Sequence, residues 1–181
     1  MLTRRQLLAT ASAALGAGAV LSTGVLAGCQ SGPAGGDAPF TTEDQQLLEA
    51  IADTILPTTP NSPGAKAAGV GPVMVLLAAD CYTKAQRGRV RDGLAAVQQA
   101  ANDGHGQPFP RLSPSQREAV LRAFDAEARA TPDHWYRQLA DLSLQAYFGT
   151  EVGMTKALRY IRVPGHWTGC VPLAPGQPAW G

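Results

Sequence analysis

Thr131-Pro132-Asp133-His134-Trp135-Tyr136-Arg137-Gln138-Leu139-Ala140-Asp141-Leu142-Ser143-Leu144-Gln145-Ala146-Tyr147-Phe148-Gly149-Thr150 is the stretch on which the fold reading turns. Trp135, Leu139, Leu142 and Ala146 recur at i, i+4, i+7 and i+11, the spacing of one helical face, with Tyr136, Ser143 and Tyr147 flanking it. Pro132-Asp133 opens the helix and places an acid in its first turn, at the positive end of the helix dipole. Gly149 is placed to end it. Of the aromatic side chains here, Trp135 and Phe148 are the ones expected in the core.

The same period recurs upstream. Thr41 and Thr42, followed by Asp44 and Gln45, make a helix start, and Leu47, Leu48, Ile51, Ile55 and Leu56 form a stripe that stops at Pro57. Pro57, Pro60, Pro63, Gly64, Gly69, Gly71 and Pro72 then describe a stiff connection around the short Ala65-Lys66-Ala67-Ala68 piece. Met74, Leu77 and Cys81 share one helical face, and Val90, Leu94 and Val97 continue the pattern beyond Gly88, the expected point of kinking or division. Asn102 to Pro110 is a break, after which Ser113-Pro114-Ser115-Gln116 caps a helix with Val120, Leu121, Phe124 and Ala128 on its core face. A shorter helix is expected at about Thr155 to Tyr160, and an extended tail runs through Pro172, Pro175 and Pro178 to Trp180. No segment alternates apolar and polar residues as a strand does, and no repeat is visible. The fold class is all-α: a small bundle of four to six helices with long Pro/Gly-rich connections and an extended C-terminal tail.

The N-terminus reads as an address. Arg4 and Arg5 precede an apolar, glycine-containing stretch that ends in Leu26-Ala27-Gly28-Cys29. Paired arginines in that position are the signal of the twin-arginine exporter, which moves folded proteins, and the ending looks like a lipobox, with cleavage before Cys29 and acylation of its thiol. Leu7 and Ala9 stand where the usual pattern has Phe and Lys, so an ordinary secretory lipoprotein leader is the alternative. An uncleaved anchor is the other, although Gly16, Gly18, Ser22, Thr23 and Gly24 suit a membrane span poorly. The chain thus divides into a signal peptide at residues 1–28, a flexible tether at residues 29–39 rich in Gly, Ser, Pro and Ala, and a helical domain at residues 40–181. The expected location is the periplasm, on a membrane.

Removing residues 1–28 leaves 153, one domain's worth. The 15 basic residues fall to 13 against 14 acidic ones, with no basic stripe, which argues against a nucleic-acid interface. Cys81 and Cys170 then form an even pair in an oxidising compartment and read as a disulfide closing a loop of about ninety residues, worth about 4 kcal/mol in the chain-entropy model. A bond from Cys170 to a partner subunit is the alternative.

Catalytic motifs are lacking. The chain has no GxGxxG after a strand, no GxxxxGK, no GxSxG and no CxxCH, so nucleotide, flavin, hydrolase and covalent-haem readings lack their minimum parts. His105, His134 and His166 stand on separate segments without metal-ligand spacing. Seven of the eleven aromatic residues, from Trp135 onward, crowd the end of the chain. Tyr160, Trp167 and Trp180 lie on or beside the proline-rich tail, which has little core of its own, and are the candidate partner interface.

Phe40-Thr41-Thr42 with Leu47 to Pro57, the loop Ser62-Pro63-Gly64-Ala65 with Ala68-Gly69-Val70, and Tyr147-Phe148-Gly149-Thr150-Glu151-Val152-Gly153 through Arg159-Tyr160-Ile161-Arg162-Val163-Pro164-Gly165 together resemble the gluconate 2-dehydrogenase subunit 3 family. The resemblance implies a non-catalytic small subunit. It implies as partners a large flavoprotein of the glucose-methanol-choline type, carrying FAD, and in some complexes a cytochrome subunit carrying haem c. The small subunit would then bring the export signal for a flavoprotein lacking one. The lipobox departs from many members, which carry only an export leader. A free-standing envelope lipoprotein with a structural or binding role is the alternative reading.

Overall fold

A computed structural model of the chain describes residues 38–163, 165 and 169–180. Arg4, Arg5, Cys29, nearly all of the tether, His166 and Trp167 lie outside the described residues. Within them the chain forms five α-helices, a 3-10 turn and a π-turn. The all-α bundle expected from periodicity is what forms.

Helix α1 spans Thr42–Ile55. Thr41 caps it in a reciprocal box: its hydroxyl accepts from the Asp44 amide at 3.2 Å, and the Asp44 carboxylate accepts from the Thr41 amide at 2.9 Å. The helix buries Leu47, Leu48, Ile51 and Ala52 and ends ahead of Pro57. Helix α2 spans Val70–Asp80 and helix α3 Lys84–His105. The division between them falls at Cys81 to Thr83, not at Gly88, because Thr83 and Gln86 build a second capping box while Gly88 sits inside α3 with open space beside it. Gly106, with φ +65°, closes α3 in the left-handed conformation that glycine adopts without a Cβ penalty. A 3-10 turn at Phe109–Arg111 then drives the fully buried Phe109 ring into the core.

Helix α4 spans Pro114–Ala130, with the Ser113 box and first-turn proline that the sequence announces. It buries Leu121 and Ala128, with Val120 and Phe124 partly covered. Helix α5 spans Trp135–Phe148 and packs against all four other helices. This is why its apolar arc is wider than one stripe: Tyr136, Leu139, Leu142, Ser143, Ala146 and Tyr147 are all buried. The Ser143 hydroxyl, fully buried, donates to the Leu139 carbonyl at 2.9 Å and so brings no unsatisfied group into the core.

Two expectations for this helix change. Asp133 is not in its first turn. It takes φ +58°, a left-handed conformation that Asp tolerates, and His134 becomes the cap, its Nδ1 accepting the Tyr136 amide at 3.2 Å. Trp135 and Phe148 sit at the margin of the core, not inside it. As the end residues of α5 each is covered on one side, and the Trp135 ring packs edge-on to Phe124 at 4.9 Å and over Gly93, where a Cβ would overlap it.

Burial pushes the phenol of Tyr136 above its ordinary 10.0, with Asp125 adding to the effect. Tyr82 is raised likewise by burial, then by Asp141 and Cys81. The neutral phenols are thus favoured in the folded state. Their contribution is fully present below the unfolded value and is lost as pH climbs through the raised folded values. Thermal melts should therefore show stability falling above about pH 10, and the pair of changes Tyr136→Phe and Tyr82→Phe should flatten that decline. In urea unfolding, Leu139→Ala should cost about 2–5 kcal/mol, whereas Leu144→Ala on the exposed side of the same helix should stay within about 0.5 kcal/mol.

Candidate functional site

Two of the sequence segments that carry the family resemblance, the loop after α1 and the turn from Tyr147, meet at one end of α5. The loop after α1 turns at Thr59 and Ser62, whose backbones exchange hydrogen bonds of 2.9 and 3.3 Å. Gly64 then passes so close to the chain at Leu56 to Thr58 that a Cβ would lie 2.7 Å from the Pro57 carbonyl carbon. Its amide donates to the Thr58 hydroxyl at 3.0 Å, and the Ala65 amide reaches back to the Leu56 carbonyl at 2.8 Å. Tyr147, from the last turn of α5, ties this loop down: its hydroxyl donates to the Pro63 carbonyl and lies 3.0 Å from the Ser62 hydroxyl.

From Tyr147 the chain turns through Thr150, whose hydroxyl donates to the Tyr147 carbonyl at 2.7 Å and accepts the Gly153 amide at 3.0 Å. A Cβ on Gly153 would overlap the Tyr147 carbonyl oxygen, so only glycine lets the turn close this tightly. The segment expected as a helix over Thr155 to Tyr160 is instead a π-turn at Gly153–Ala157, one that begins earlier because Gly153 is pressed against α5 and ends where Leu158 extends.

Beyond the π-turn the tail returns upon itself. The Arg159 amide donates to the Ala179 carbonyl at 2.7 Å, Arg159 and Trp180 form an isolated parallel bridge, and the Arg159 guanidinium lies 4.2 Å from the centre of the Trp180 ring. A cation over an indole face at an exposed site is worth about 0.5–1 kcal/mol. Trp180, expected to reach outward, is thus engaged by its own chain while remaining 50% exposed. Tyr160, beside it, is 48% exposed. No local spacing marks the Arg159 and Trp180 contact, which joins residues at opposite ends of the tail.

The expected bridge between Cys81 and Cys170 is not formed. Both thiols are free and exposed, Cys81 as the cap that ends α2 and Cys170 on the extended tail. His134 is used as a helix cap, its Nε2 3.8 Å from Glu127, and His105 at the end of α3 lies 3.4 Å from the Gln116 side chain. Among the described residues no group of three or more His, Cys, Asp or Glu side chains is arranged to hold a metal ion. A groove of about 600 Å³ opens between α1 and α3, lined in part by Glu43, Leu47, Arg91 and Leu94. One of its two arginines is engaged: the Arg91 guanidinium lies 4.3 Å from the centre of the Phe40 ring and donates to the Ala38 carbonyl, pinning the start of the domain to α3. Among the described residues no helix is long and apolar enough to cross a membrane.

The geometry therefore gathers a rigid junction and an exposed apolar tail, and the junction can be broken by single atoms. Tyr147→Phe should lower stability by about 1–2 kcal/mol through loss of the Pro63 and Ser62 contacts, and Gly153→Ala should lower the melting temperature further because backbone must move to admit the methyl group.

One protein-family model, described as gluconate 2-dehydrogenase subunit 3, matches the chain over residues 42–165, from the start of α1 through the junction into the tail. No curated protein and no solved structure matches it.

Proposed function

Because the chain belongs to the gluconate 2-dehydrogenase subunit 3 family, we propose that it is the non-catalytic small subunit of a periplasmic, membrane-held flavoprotein dehydrogenase of the glucose-methanol-choline type, which it escorts in folded form through the twin-arginine exporter and stabilises afterwards. The observation that carries this reading is the family match over residues 42–165. It stands behind a leader bearing Arg4 and Arg5.

Folded export has a physical rationale. A flavoprotein takes up FAD before it crosses the membrane, and its fold must then be kept through the crossing. The present chain has none of the sequence motifs that cradle a dinucleotide. A folded-export signal on such a chain makes sense when it speaks for a bound partner. FAD then belongs to the large subunit, haem c to a cytochrome subunit where one is present, and the choice of sugar, sugar acid or alcohol to the large subunit's active site.

After removal of residues 1–28, acylated Cys29 holds the complex at the membrane. The composition of residues 29–39 is that of a Gly/Ser-rich tether, for which a reach of about 20 Å would be expected, so the dehydrogenase works close to the lipid surface where respiratory acceptors lie.

The double substitution Arg4→Lys with Arg5→Lys separates this role from a merely local one. Fractionation should then find both this chain and the flavoprotein retained in the cytoplasm. Arrival of the flavoprotein in the periplasm despite the substitution would end the escort role.

A further inference from the structure

Six of the eight large apolar side chains that stand exposed among the described residues, Tyr160, Ile161, Val163, Val171, Leu173 and Trp180, fall in the short C-terminal tail. Val163 and Leu173 are 77% and 80% exposed, far more than a side chain held against a core. The same segment is one-signed in charge. After Glu151 the sequence contains Lys156, Arg159 and Arg162 and no Asp or Glu, in a chain whose formal net charge is only +1.

The tail is also preshaped. Its ends are clipped by the Arg159 amide on the Ala179 carbonyl and by the guanidinium over the Trp180 ring. Pro172, Pro175 and Pro178 restrict its backbone. Near the far end a turn closes between the Gln177 amide and the Ala174 carbonyl at 3.1 Å, with Gly176 at φ +73° and the Gln177 side chain accepting the Ala174 amide at 3.2 Å. Residues tied at these points have less conformational freedom to lose when they are bound.

Resting on the proposed function above, we infer that the described residues of the clipped tail, 159–163 and 169–180, dock on the large flavoprotein subunit, at an apolar surface rimmed by acidic side chains. Val163 and Leu173 are the inserted anchors, and Arg162 meets the acidic rim. Trp180 has a different part from the one its exposure first implied: with Arg159 it sets the shape of the loop, while neighbouring residues make the contact.

Basic and aromatic residues also favour lipid surfaces, but the backbone argues for protein. Between residues 160 and 178 the described chain forms no helix or strand, so apart from the turn at Ala174 and Gln177 it lacks the regular backbone pairing that hydrocarbon demands. A protein surface supplies partners for them.

The test uses the full chain purified with the flavoprotein from detergent-solubilised envelopes. Wild-type chain should retain the flavoprotein; Val163→Asp with Leu173→Asp should weaken retention at least tenfold, and Arg162→Glu should weaken it less and make it less sensitive to salt. Circular dichroism and the melting temperature of these exposed-residue variants should match wild type, so loss of retention reports docking and not unfolding. Trp180→Ala should weaken retention by releasing the loop.

Equal retention by wild type and the double variant overturns the docking assignment and leaves the proposed function standing. A wild-type chain that retains no flavoprotein overturns both. Sedimentation with vesicles of phosphatidylglycerol and phosphatidylethanolamine supplies the remaining arm: if the double variant loses vesicle binding and keeps the flavoprotein, the loop belongs to lipid and the inference fails.

Discussion

Burial of a wide arc of α5 against the four other helices is the constraint from which the rest of the structure follows. A helix that touches four others must have a wide apolar arc, and the arc from Tyr136 to Tyr147 meets that requirement with one polar interruption, Ser143, whose hydroxyl is satisfied within the helix. Each neighbour has its own stripe turned toward α5 or toward the helices around it. Because α5 is held by four helices, what projects from its C-terminal end has a firm base. Tyr147 fixes the Pro57 to Gly64 loop, Gly153 presses the π-turn against α5, and the tail leaves from a rigid base.

That arrangement connects the fold to its role. A subunit of a larger complex must offer position and shape, and the observed features bear on both. Early in the described chain, Arg91 pins Ala38 and Phe40 to α3. Late in it, Arg159 and Trp180 hold the tail closed. The two arginine-aromatic contacts make the same use of guanidinium chemistry: a flat, always-charged group that covers an aromatic face while its hydrogen-bond donors stay in the plane.

Most of the helical architecture was legible in the sequence because local chemistry dictates it. Thr41 with Asp44 and Ser113 with Gln116 satisfy free amides at helix starts, and the stripes at Leu47 to Ile51 and Leu121 to Ala128 follow directly from helical geometry. Thr83 with Gln86 carries the same signal, and reading it would have placed the division after α2 correctly where attention to Gly88 did not. Asp133 and His134 were harder. Which of two adjacent polar residues caps a helix depends on a backbone conformation that composition does not specify. The exposed tail was legible as a region, through its aromatics and prolines, but the clip between Arg159 and Trp180 joins residues too far apart for any local pattern to reveal. The pairing of Cys81 with Cys170 rested on parity alone, and parity carries no geometry; the fold leaves one thiol at a helix end and the other on an exposed tail.

Membership of the subunit 3 family makes the chain one part of a larger assembly, and the character of that assembly is the centre of the account. Size-exclusion chromatography of the tagged chain from detergent-solubilised envelopes, followed by flavin absorbance and mass, tests it most directly. The account predicts a single yellow species of several times the mass of this chain, containing a larger flavoprotein. A colourless peak of the lone chain would contradict it.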